Sequence, residues 1–105
     1  MTGKQRATLR RMANVLKPIL YVGKEGVTEG TVREALDALE ARELIKGSVQ
    51  QEAPVDAREA VTALCEKTGA EPIQCIGRRF VLYKPSREHP KIIIDEKSGA
   101  VRVDG

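Results

Sequence analysis

The sharpest chemical feature of the chain is Gly23-Lys24-Glu25-Gly26, followed within two residues by Thr28, a suitable helix cap. Two glycines permit positive φ and a close approach of backbone to ligand. The amides and dipole of a helix beginning near Glu29 would favour a phosphate oxygen at this turn, and Lys24 would add a mobile positive charge at its tip. The same two glycines serve equally well in any tight strand-to-helix turn, so the motif alone leaves both readings open.

Other cations recur at spacings that could track a polyanion. On a helical wheel Arg6, Arg10 and Lys17 fall on one flank of an apolar stripe, where they could reach a ligand while the helix stays docked. Arg78 and Arg79 mark the tip of an expected hairpin, with Lys84, Arg87 and Lys91 beyond it. Such residues would contact phosphates and give salt-dependent affinity with little sequence readout, or simply protect strand edges. The chain has two tyrosines and one phenylalanine. Phe80 and Tyr21 are assigned to the core, which leaves Tyr83 as the candidate for stacking on a base.

Nothing resembles a catalytic constellation. His89 lies between Glu88 and Pro90 with no nucleophile or carboxylate at a recognisable spacing, and the helical carboxylates read as solvated. Cys65 and Cys75 read as buried thiols facing a core, although a disulfide between them is conceivable. Two cysteines and one histidine cannot supply the four ligands of a structural zinc site. No catalytic residue, metal or cofactor is expected.

At 105 residues the chain suits a single core. Its apolar (41%) and charged (31%) fractions argue against a disordered or membrane-embedded chain. The N-terminus leads into a charged amphipathic stretch, so a cytoplasmic location is expected, away from any membrane. The net charge of +3 is unevenly spread. Residues 1–24 hold six bases and no acid, residues 76–94 five bases and one acid, and residues 25–75 eleven acids and five bases. If the two basic stretches meet in space they form one face for a polyanion; otherwise they are separate solvated surfaces.

Periodicity supplies the frame. Leu9, Met12, Ala13 and Leu16 predict a helix over about 3–16, ended by Pro18. Residues 19–22 predict a buried strand, and Thr28 caps a helix with Val32, Ala35, Leu36 and Leu39 as its buried stripe. A strand over 44–50 follows, weakened by Gly47, and then a helix capped by Asp56 and closed by Gly69. Residues 72–76 and 79–84 predict a hairpin with its turn at Gly77-Arg78. Residues 91–94 and 100–103, with a turn at 96–99, predict a further hairpin or a frayed tail. The expected fold is an α/β two-layer sandwich, α-β-α-β-α-β-β, with a four-stranded mixed sheet.

Three separated motifs carry a family resemblance: the run from Pro18 through Gly23-Lys24-Glu25-Gly26 to Gly30, then Arg42-Glu43-Leu44-Ile45-Lys46, and then Ile76-Gly77-Arg78-Arg79-Phe80-Val81-Leu82-Tyr83. In that order the chain resembles, over about residues 4–88, the CRM domain (chloroplast RNA splicing and ribosome maturation) and its bacterial YhbY-like members. The resemblance implies a fold like the C-terminal domain of translation initiation factor three and an RNA-binding domain over residues 1–90, followed by an extension over 91–105. It also implies that Gly23, Lys24, Glu25 and Gly26 contact an RNA backbone as KH-type loops do, and that the RNA is ribosomal, from a large-subunit precursor. The chain departs from the family's pattern in the acid Glu25, in Arg42, and in Gly47 where an apolar strand residue is usual. The expected partner is therefore RNA, bound by a monomer that takes no small-molecule substrate. A double-stranded nucleic-acid architectural protein and a protein–protein adaptor are the alternatives.

Overall fold

A computed structural model describes residues 1–94 and 100–103. The elements run α1 (Gly3–Ala13), β1 (Leu20–Val22), α2 (Glu29–Arg42), β2 (Leu44–Val49), α3 (Ala57–Thr68), β3 (Glu71–Ile76), β4 (Arg79–Tyr83), β5 (Ile92–Ile94) and β6 (Val101–Val103). Each helix begins on a side chain that satisfies an otherwise unpaired amide. Thr2, Thr28 and Asp56 accept hydrogen bonds from the N–H of Gln5, Thr31 and Glu59, whose side chains accept one back from the capping residue. Gly69, at φ 78°, closes α3 as its position suggests.

The four-stranded sheet has the order β1-β2-β4-β3, with β1 parallel to β2 and the other pairs antiparallel. Successive strand residues point to opposite faces. In β4, Phe80 and Leu82 therefore enter one core with Leu20, Val22 and Ile45 beneath Leu39 of α2 and Leu64 of α3. Val81 and Tyr83 enter a second core with Leu44 and Ile73 beneath Leu9 and Ala13 of α1, joined by Ile92. The expected α/β sandwich with its mixed sheet forms, and α1 adds a layer on the sheet's second face. Gly47 is explained by this packing. A Cβ there would fall inside the van der Waals envelope of the Phe80 ring, so the absent side chain makes room for the largest of the fully buried side chains.

Several expectations change. The α1 helix stops at Ala13, well short of Pro18, and Asn14 is its C-cap. The chain must turn there so that the Ile19 N–H can donate to the Lys46 carbonyl (2.9 Å) and begin the pairing of β1. In α2, Leu36 is exposed while Ala35 and Leu39 carry the buried stripe. Cys75 is exposed on the outer strand β3, and Cys65 is half-buried.

Glu43 is not on a solvated face. It is wholly buried, sits at φ 66°, and its carboxylate accepts hydrogen bonds from the amides of Ser86 (2.8 Å), Lys91 (2.6 Å) and Ile92 (2.8 Å). The Lys84 N–H donates to its carbonyl (2.9 Å). Glu40, one turn earlier, accepts from the Ser86 hydroxyl and the Arg87 amide. Together these bonds strap residues 84–92 across the end of α2 and seat Ile92 in the second core. Strands β5 and β6 pair antiparallel, and the turn expected at 96–99 lies outside the described residues.

Candidate nucleic-acid interface

The strand registers decide which basic residues share an end of the sheet. One end is the row Leu44, Tyr83, Glu71; the other is the row Tyr21, Ser48, Arg79, Ile76. The Gln50 N–H donates to the Val22 carbonyl (2.8 Å) and the Val49 N–H to that of Arg78 (2.7 Å), which puts the 23–26 loop and the hairpin tip at the second end. Gly23, Lys24, Glu25, Gly26, Arg78 and Arg79 are thus brought together.

Arg6, Lys17 and Lys84 are not brought to them. Arg6 forms an ion pair with Glu71 (3.6 Å), Lys84 follows Tyr83, and Lys17 precedes β1, so all three lie toward the first end. That is roughly 17 Å away at a strand rise of ~3.3 Å per residue. Arg10 rides on α1, which covers the face of the sheet opposite to α2. The expectation of one surface uniting Arg6, Lys17 and Lys84 with the glycine loop is corrected. The apolar stripe of α1 docks over the first end and sets Arg6 beside Glu71 there.

The loop is a tight turn closed by the Gly26 N–H donating to the Gly23 carbonyl (2.9 Å), with Lys24 and Glu25 exposed at its corners. Gly26 adopts φ 73° and is buried against Pro54, so its glycine serves the turn and its packing. The helix end behind it is not an open cradle, because the Thr31 amide already donates to the Thr28 hydroxyl and Glu29 occupies the first turn. Lys24 stands beside Glu25. The loop therefore offers one mobile cation with an adjacent acid, less than its glycines alone suggest.

A more open surface adjoins it. Since α1 covers only the first end, the sheet face it occupies is bare at the other end, where Tyr21 is 53% and Ile76 65% exposed. By strand alternation Lys46, Ser48, Gln74 and Arg79 share this face, and Lys46, Gln74, Ile76 and Arg79 line one shallow depression on it. The strand residues there include no carboxylate; Glu71 lies at the opposite end, already paired to Arg6. Among the described residues neither Lys46 nor Arg79 is in an ion pair. The Tyr21 hydroxyl donates to the Pro18 carbonyl (3.1 Å), which fixes the ring along the outer strand.

Here the two tyrosines exchange the roles expected of them. Tyr83 is buried, and burial, followed by the nearby Glu43 charge, pushes its hydroxyl above the ordinary range. Tyr21 is the exposed ring. A four-residue apolar run cannot distinguish a strand buried on both faces from an edge strand half covered. The polar alternation of Lys46 and Ser48 on the neighbouring strand was the available signal that this face is open.

Among the described residues no cluster of three or more His, Cys, Asp or Glu could hold a metal ion, and no helix is long and apolar enough to cross a membrane. Comparison with known proteins places relatives on this fold. A sequence model of the CRS1/YhbY (CRM) domain matches residues 1–84. The Bacillus subtilis protein named probable RNA-binding protein YqeI is 44% identical over 92 residues, covering 88% of this chain and 96% of its own. A Haemophilus influenzae protein named RNA-binding protein is 35% identical over 88 residues, covering 84% of this chain and 89% of its own. Among solved structures, a Staphylococcus aureus protein described as a candidate RNA-binding protein superposes with a TM-score of 0.75 at 39% identity, covering 90% of this chain and 99% of its own.

Proposed function

The chain belongs to the CRS1/YhbY (CRM) domain family, and from that premise we propose that it is a non-catalytic RNA-binding module that holds unpaired ribosomal RNA of a large-subunit precursor during ribosome assembly. It acts in the cytoplasm as a monomer. The observation that carries the reading is the bare sheet face, where the exposed Tyr21 ring and the cations Lys46 and Arg79, in no ion pair among the described residues, lie together beside Lys24 and Arg78. An aromatic ring stacks on any base, and cations one strand apart can follow the phosphates that join successive bases.

Residues 23–26 bound the RNA at one edge of this face and Arg78 at the tip of the neighbouring hairpin. Arg6, Arg10, Lys17 and Lys84 engage only an RNA long enough to reach the other end. The exposed ring favours unpaired RNA over a duplex, whose stacked bases give an aromatic side chain no partner. The large-subunit assignment is supported by the family resemblance of the three motifs. Sequencing the RNA crosslinked to the protein in cells tests it, with precursor large-subunit RNA the expected product. Titration of unpaired ribosomal RNA fragments and duplex DNA at matched salt tests the ligand class, and equal or tighter binding of the duplex would contradict the reading.

A further inference from the structure

Below the bare face a separate cleft of about 320 Å³ opens between α1, the sheet and the β5–β6 hairpin. Its floor is apolar, formed by residues such as Met12, Leu16, Ile92 and Val103. Four cations, Lys17, Arg42, Lys46 and Lys91, share its lining, and among the described residues no carboxylate does. None of the four is in an ion pair among the described residues. Glu43, next to Arg42 in the chain, is wholly buried and its carboxylate is engaged by backbone amides.

A ligand for this cleft must offer an apolar body with negative charge on more than one side. A simple anion would leave the floor uncovered, and a fatty acid, with a single carboxylate, would leave most of the cations unmatched. A nucleotide within a strand meets both demands, since its base is a flat apolar surface and a phosphate lies on either side of it. The volume is at the small end for ligand pockets, suited to one base and not to an extended molecule. Lys46 also lines the depression beside Arg79 and so belongs to both surfaces. An RNA strand leaving the sheet face reaches the cleft without crossing an acidic residue of the sheet.

We propose that this cleft takes one unpaired base of the bound RNA, its flanking phosphates held by Lys17, Arg42, Lys46 and Lys91. The proposal rests on the RNA-binding reading and extends it to a second nucleotide subsite. The aliphatic floor reads shape, not base edges, so purines and pyrimidines are both accepted.

The test is titration of the full chain, methyl-labelled and with Tyr21 ring signals followed in parallel, with a single-stranded hexaribonucleotide and, separately, with oleate. The expected result is that RNA shifts the methyl signals of Met12, Leu16, Ile92 and Val103 together with the Tyr21 ring. Val103→Trp, at a 61% exposed position on the cleft, should abolish the shifts at the remaining methyls and weaken binding while the Tyr21 shift persists. Lys17→Gln with Lys91→Gln should lower the slope of log affinity against log salt by about 1.4, from ~0.7 per single-strand phosphate contact. If RNA moves Tyr21 but not the cleft methyls, the subsite is overturned and the sheet-face reading stands. If RNA moves neither, both fall, and if oleate fills the cleft where RNA does not, the cleft is a lipid site and the subsite is overturned.

Discussion

Two residues, Tyr21 and Gly47, carry most of what is specific to this chain. Tyr21 is 53% exposed and its hydroxyl donates one hydrogen bond, to the Pro18 carbonyl, so truncating its side chain should affect ligand more than stability. Tyr21→Ala is expected to weaken single-stranded RNA binding by about 1 to 3 kcal/mol, roughly five- to 150-fold, while Tyr21→Phe keeps most of the affinity. Fluorescence anisotropy with an unchanged unfolding midpoint checks this. Gly47 is the converse, a position that acts on stability through one neighbour. Gly47→Ala should destabilise by on the order of 3 kcal/mol, because its methyl and the Phe80 ring claim the same space. Adding Phe80→Leu should recover part of the loss, so a double-mutant cycle read by chemical denaturation should show strong favourable coupling. Neither residue was legible in the sequence. Tyr21 looks like core because Ile19, Leu20 and Val22 surround it, and Gly47 looks like a weak spot because the ring that fills its place is 33 residues away in the chain.

At the scale of elements, the helix starts and the central hairpin are the readable part. Thr28, Asp56, Gly69 and Gly77 act where their local chemistry predicts, since caps and turns are decided within a few residues. The end of α1 and the role of Glu43 are decided by distant partners, and sequence periodicity cannot contain them. Glu43→Ala would leave the amides of Ser86, Lys91 and Ile92 without their acceptor, at about 1 to 3 kcal/mol for each buried donor left unpaired. Hydrogen exchange should show these three amides losing protection while the amides of β4 keep theirs. Glu40 adds a pH dependence. The Ser86 hydroxyl and then the Arg87 amide hold its carboxyl below the usual carboxylate range in the folded protein. The strap's contribution is therefore present above the unfolded-state value and is lost as pH falls through the lower folded one. Glu40→Gln should flatten the acid limb of the stability profile, because it lowers stability at neutral pH toward the acid value and changes the acid end little.

Across the whole molecule, the segregation of charge was visible in the sequence and its geometry was not. The two basic stretches meet only in part: Lys24 lies with Arg78 and Arg79 at one end of the sheet and Lys17 shares a cleft with Lys91, while Arg6 is paired elsewhere. Apolar contacts take the first helix to one end of the sheet while the glycine loop and hairpin tip sit at the other. What the fold leaves open between them is a carboxylate-free stretch of sheet, and the RNA path follows from that opening and not from the count of arginines. Direct photocrosslinking of a short single-stranded RNA carrying 4-thiouridine, with the attached peptides identified by mass spectrometry, tests this most plainly. Crosslinks at Tyr21 and on the peptides holding Lys46 and Arg79 are the predicted result; crosslinks confined to residues 4–11 would contradict it.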